Sequence, residues 1–293
     1  MTRQATLALW LSLLSPGISA PAMADATRPV TIPGALEFLL PITQGEDYRI
    51  LVYRPEGTPP PQGWPAIYTL DADRTFATMA EFVRSQGGSP ESTGVLPMVV
   101  VGIEAAKDGK TRRARDFTPP SASPAPGEGG AEAFFAFIEA TVKPTVERIA
   151  AIDPKRQALF GHSYGGLFTL HVATAHPNAY AAYAAASPSL WWNHEAMMHA
   201  DLRPLAAAHP KVLITVAEYD QADDPFTERS AHAEIRAKRR MVDNARAFAA
   251  RLTEAGLPTD AAIFPGETHG SVIPGAIARA VRVISHEFRS SSR

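Results

Sequence analysis

Along the chain, short apolar runs alternate with longer amphipathic stretches. Tyr48–Tyr53 sets Tyr48, Ile50 and Val52 against Arg49, Leu51 and Tyr53, the period of two expected of a strand. Residues 36–42 also read as a strand, and residues 54–65, with Pro55, Pro59, Pro60, Pro61 and Pro65, predict a surface turn. A short buried-type strand at 66–70 ends abruptly at Asp71-Ala72-Asp73, and a helix is expected over 75–84. Residues 96–101 are almost wholly apolar, the mark of a central parallel strand covered on both faces. Over 104–130 the periodicity disappears into a basic stretch and a Pro/Ser/Gly-rich tract, which predicts a long loop of the kind that forms lids or binding surfaces. Residues 131–152 are helical in pattern, with Phe134, Phe135, Phe137 and Ile138 on the apolar side and Pro144 kinking or dividing the helix. Beyond the apolar run 158–160 come strands at 179–186, Lys211–Ala217 and Ala261–Phe264, with helices at 195–199, 230–255 and 274–288. In the second of these helices Met241, Ala245, Phe248 and Leu252 form the core stripe, and Gly256 is the stop. Strands alternating with helices from residue 66 onward imply an α/β fold class, a mainly parallel sheet with helices on both faces.

The 293 residues are 45% apolar, enough for one large core, and a single domain over 25–293 is the simplest organisation. With 28 basic and 30 acidic side chains, charge suggests no nucleic-acid partner. The absence of cysteine excludes disulfides, thiolate metal sites and cysteine nucleophiles. Residues 1–24 read as a secretory leader. Arg3 precedes an apolar run at 7–14, Pro16-Gly17 breaks it, and Ala22-Met23-Ala24 supplies the small residues of a cleavage site after Ala24. The run is shorter than the roughly 20 residues of a membrane span, and nothing later is long and apolar enough to cross. An exported chain without cysteine suits a bacterial periplasm.

The chemistry gathers where predicted strands end. The run 158–160 passes through Gly161-His162-Ser163-Tyr164-Gly165-Gly166 into a helix, the strand, sharp turn and helix of a nucleophile elbow. The flanking glycines fit a turn that brings strand and helix backbones too close for side chains. Asp220 follows the strand Lys211–Ala217, and His269 lies in the loop after Ala261–Phe264. The order Ser163, Asp220, His269 is that of an α/β-hydrolase triad, in which the histidine takes the serine proton and the acid orients it. Glu218 competes with Asp220 for the acid, whereas the other histidines fall in predicted helices, their ends or the elbow strand. An oxyanion hole needs two backbone N–H donors: Tyr164, after the nucleophile, and Asp73 or Ala72 in the loop after Leu70. Arg112, Arg113 and Arg115 read either as a solvated charge run or as a clamp for an anionic ligand. Trp191 and Trp192, after another strand end, suit the wall of a pocket for flat rings, with at least one packing beneath the loop. Lys238-Arg239-Arg240, opposite the Met241 stripe, reads as solvated. No metal or organic cofactor is expected.

These residues resemble the esterase D superfamily, and within it the periplasmic enterobactin and salmochelin trilactone esterases of Gram-negative bacteria. The likeness runs from about residue 30 to 288. It rests on Tyr68-Thr69-Leu70-Asp71, Arg115-Asp116-Phe117-Thr118-Pro119, the elbow, Ser187-Pro188-Ser189-Leu190-Trp191-Trp192 and His269-Gly270-Ser271-Val272. It implies an α/β-hydrolase fold and a monomer that hydrolyses the trilactone of a ferric catecholate siderophore. Ser163 would be the nucleophile and His269 the base, with arginines near 112–115 meeting the anionic catecholates. The loop after Leu70 departs from the family, with Asp71-Ala72-Asp73 in place of Asp-Gly-Asn.

Overall fold

Eight strands form one sheet in the order β1-β2-β4-β3-β5-β6-β7-β8. In chain order they are β1 (Ala35–Leu40), β2 (Tyr48–Tyr53), β3 (Trp64–Leu70), β4 (Val99–Ala105), β5 (Ile152–His162), β6 (Ala182–Ala186), β7 (Lys211–Ala217) and β8 (Ala261–Phe264). β2 runs antiparallel to both of its neighbours, β1 and β4, and β3 through β8 are parallel to one another. The computed structural model describes residues 28–42, 47–106, 109–225, 232–259 and 261–290. By contacts the chain divides into Met1–Thr31 and Ile32–Arg293. Residues 28–31 of the first unit have neither helix nor strand, and the second carries every element described below. The leader expected at 1–24 lies outside the described residues.

The helices are α1 (Ala72–Gly87), α2 (Pro90–Thr93), α3 (Gly109–Phe117), α4 (Ala131–Phe137), α5 (Lys143–Glu147), α6 (Tyr164–Ala175), α7 (Trp192–Glu195), α8 (Arg203–Ala208), α9 (His232–Arg239), α10 (Met241–Glu254) and α11 (Val272–Ser290). They cover both faces of the sheet. On one face Ile67, Val100 and Phe160 pack with Phe76, Met79 and Val83 of α1 and Ile277, Val281 and Phe288 of α11. On the other, Tyr68, Val101 and Leu159 pack with Phe134, Phe168 and Phe248. Neighbouring residues of one strand thus enter opposite layers, and both layers are apolar, which is why the central strands read as unbroken hydrophobic runs.

Four expectations are corrected. The stretch 104–130 is not without structure, because α3 lies inside it and carries Arg112, Arg113 and Arg115. Its buried side chains include Arg112 and Asp116, so an inward face made partly of ionic groups hid the helix from a search for apolar periodicity. The helix expected over 131–152 ends at Glu147, and its middle, Ile138–Val142, is a π-helical turn just before Pro144, a wide turn that breaks the regular ladder where proline supplies no N–H. The described part of the helix expected over 230–255 is two helices, because Arg240 adopts φ 48° between α9 and α10. The strand expected at 96–101 is displaced to Val99–Ala105, Pro97 having no N–H to give to a ladder.

Candidate active site

β5 delivers the nucleophile candidate. Ser163 stands between β5 and α6 with φ 62° and ψ −118°, a strained conformation for a residue with a side chain. It is held by three main-chain bonds: its N–H donates to Ala186 O at 2.9 Å, and its carbonyl accepts from Leu167 N at 3.0 Å and Ser189 N at 3.1 Å. The close approach rests on Gly161, where a Cβ would lie 2.1 Å from the carbonyl oxygen of Gly165. At Gly165 a Cβ would meet only ordinary contacts from 3.5 Å, whereas at Gly166 it would come within 3.0 Å of Ala186 O. The second crowded glycine of the elbow is therefore Gly166, not Gly165.

The acid and base meet across loops from two neighbouring strands. His269 Nδ1 lies 2.5 Å from Asp220 Oδ1. Asp220 is 2% exposed, and its Oδ2 accepts from Ser187 Oγ at 2.5 Å and from Ala217 N at 3.1 Å. These contacts hold the Asp220 carboxylate in place, and through it they orient the imidazole. Glu218 is engaged elsewhere, accepting from Gly266 N at 2.7 Å, so Asp220 is the acid that reaches the histidine. Ser163 Oγ lies 3.4 Å from Ser189 Oγ, and among the described hydrogen bonds none joins Ser163 to His269. Such bonds often tighten only when substrate is bound.

Beside the base sits His162, fully buried, its ring centroid 4.5 Å from that of His269. Among the described residues neither of its ring nitrogens makes a hydrogen bond of good geometry. Burial, then the adjacent His269, Arg74 and Arg113, depress its pKa well below the usual histidine value, so His162 is a neutral ring against the base.

Tyr164 opens α6, so its N–H has no partner within the helix and suits an oxyanion donor. Asp73 does not fit the second position as expected. Its N–H is directed to Glu104 Oε2 at 3.3 Å, and its carboxylate pairs with Arg49. Burial and then the Asp71 carboxylate raise the pKa of Glu104. Ala72, the first residue of α1, is the donor candidate that remains.

The three arginines lie near the site, and all three are engaged within the fold. Arg113 grips Asp71 with Nε to Oδ1 at 2.6 Å and Nη2 to Oδ2 at 3.0 Å, and Nη2 also donates to His162 O at 3.0 Å. Arg115 Nε donates to Asp116 Oδ1 at 2.7 Å, and Tyr48 donates its hydroxyl to Asp116 Oδ2 at 2.6 Å. Arg112 is buried with its guanidinium 4.3 Å from the Tyr48 ring centroid. The cluster is thus largely committed to ion pairs inside the fold, a correction to the free anion clamp. The two tryptophans separate. Trp192 is 5% exposed within the core, while the half-buried Trp191 packs against Tyr164 at 5.9 Å between ring centroids. The partners Ser187, Ser189 and Glu104 were missed as site residues. The positive φ of Ser187, 43°, has no signature in a Ser-Pro-Ser triplet. Among the described residues no group of three or more His, Asp or Glu side chains could hold a metal ion.

Comparison with known proteins places the chain among esterases. The family model described as "Putative esterase" matches residues 43–270. The chain is 39% identical over 272 residues to the ferri-bacillibactin esterase BesA of Bacillus subtilis, covering 87% of this chain and 91% of that one. It is 31% identical over 289 residues to the siderophore triacetylfusarinine C esterase of Aspergillus fumigatus, covering 91% and 98%. Among solved structures, the siderophore hydrolase EstB of Aspergillus nidulans superposes with a TM-score of 0.78 at 25% identity, covering 88% of this chain and 96% of that one. With its mostly parallel eight-stranded sheet and its match to the family model, the chain has the α/β-hydrolase fold and belongs to this esterase family.

Proposed function

We propose that the protein is a periplasmic serine esterase that opens the ester bonds of a catecholate siderophore of the enterobactin trilactone type, so that the bound ferric ion can be released. The observation that carries the chemistry is His269 on the buried Asp220 beside the strained Ser163. The substrate reading is supported by the relatives named for siderophore esters and by the aromatic Trp191 next to the elbow.

In this mechanism Ser163 Oγ attacks the ester carbonyl carbon while its proton passes to His269 Nε2. Asp220 stabilises the resulting imidazolium, and the Tyr164 N–H, with Ala72 N–H, receives the developing oxyanion. The carbonyl carbon to alkoxy oxygen bond breaks, and the leaving alcohol takes the proton from His269. Water then attacks the acyl-enzyme, giving its proton to the histidine, and Ser163 departs with a proton returned to Oγ. No metal or organic cofactor takes part, and the ferric ion travels as cargo of the substrate. The enzyme works as a monomer, exported by a leader cleaved after Ala24.

The test is product analysis with ferric and iron-free enterobactin. Wild type should release linear and monomeric catechol-serine products and label with a fluorophosphonate. Ser163→Ala should do neither, with turnover down by about 10⁴-fold or more. Normal turnover by Ser163→Ala would overturn the mechanism. Hydrolysis of simple aryl esters without the trilactone would make this a general carboxylesterase, and tight binding without labelling would make it a carrier.

A further inference from the structure

Arg239, at the end of α9, places its guanidinium carbon 4.2 Å from the centroid of the Trp191 ring. That ring packs on Tyr164, the residue after the nucleophile. The arrangement is anchored from behind. Asn244, 4% exposed, donates from Nδ2 to Arg239 O at 3.4 Å and to Glu195 Oε1 at 3.1 Å, tying the α9–α10 break to the segment that follows Trp191. Unlike Arg113 and Arg115, Arg239 is exposed, and among the described residues no carboxylate pairs with it. A guanidinium stacked on an indole spends its flat face on the ring and keeps its N–H edge for an oxyanion.

We infer that Arg239 on Trp191 forms an anion-binding subsite beside Ser163, which holds an aromatic oxyanion arm of the ester substrate and sets the preference for anionic over neutral esters. The inference rests on the esterase reading above and names the residue that selects its substrate. A ring carrying adjacent oxyanions reaches the guanidinium edge with its oxygens, while Trp191, held by Tyr164, fixes the guanidinium in place. Arg113 cannot do the same without giving up its two bonds to Asp71.

The experiment compares kcat/KM for two butyrates that differ in charge, anionic 4-carboxyphenyl butyrate and neutral phenyl butyrate, and for ferric enterobactin, in wild type, Arg239→Gln, Arg239→Lys and Lys238→Gln. Lys238 is exposed on the same helix, 3.9 Å from Glu234, and controls for loss of one positive charge. Arg239→Gln should lower the anionic-to-neutral ratio about tenfold, chiefly through KM, with Arg239→Lys intermediate. The difference should shrink as ionic strength rises from about 0.05 to about 0.5 M. Lys238→Gln should keep the wild-type ratio. An Arg239→Gln ratio equal to wild type, or to that of Lys238→Gln, would overturn the subsite. If wild type hydrolyses the butyrates but not enterobactin, the siderophore reading fails while the butyrate pair still decides the subsite.

Discussion

At the scale of single residues, contact rather than position along the chain separates the two candidate acids. Asp220 has Ser187 Oγ, Ala217 N and His269 Nδ1 around it, whereas Glu218 holds Gly266 N. Asp220→Asn should therefore cost about 10³–10⁴-fold in kcat, because the amide favours the wrong tautomer of His269. Glu218→Gln should stay within about threefold of wild type in the same assay, its bond being to a loop backbone. His162 has a second consequence, for stability. Burial lowers the pKa of both His162 and His171 from the ordinary value of 6.5. Below pH 6.5 the unfolded chain binds protons that the folded chain refuses, so stability is full above that pH and falls as acid is added. The melting temperature should drop on going from pH 7 to pH 5, and His162→Leu should flatten that slope. The same ring against His269 makes the pH series at this position a readout of both folding and catalysis.

At the scale of elements, the elbow depends on methyl groups missing at Gly161 and Gly166, the first the more tightly enclosed. Gly161→Ala would press a Cβ against the Gly165 carbonyl and should destabilise by about 1–3 kcal/mol or more, with labelling of Ser163 lost. Gly165→Ala meets only van der Waals contacts and should unfold at a urea concentration close to that of wild type. Urea titrations of the two variants separate them. Elements were legible where burial and pattern coincide. β2, β7 and β8 have the bounds their apolar pattern predicts, and the triad order follows from the strand ends. α3 was invisible because Arg112 and Asp116 lie among its buried side chains, and charged residues score as surface in any hydrophobic reading. The break at Arg240 was equally silent, since a left-handed residue there is arginine rather than glycine. Arg239 is solvated as expected, but its contact with Trp191, 48 positions earlier in the chain, is made only by the fold.

At the scale of the whole molecule, the two apolar layers fix the sheet, and the parallel strands bring the ends of β3, β5, β7 and β8 to the same edge. The site inherits its geometry from that edge, and Arg113 closes it. This one guanidinium joins Asp71, 42 positions away, to the carbonyl of His162, 49 positions away, linking the oxyanion loop to the nucleophile strand. Such distant partners are slow to find one another while a chain is folding. Secondary structure can therefore return before the catalytic edge is stitched, and α3 must dock before Arg113 can reach either partner. Activity should therefore be the last property a refolding chain recovers, seen as a lag between the return of far-UV ellipticity and the return of ester hydrolysis.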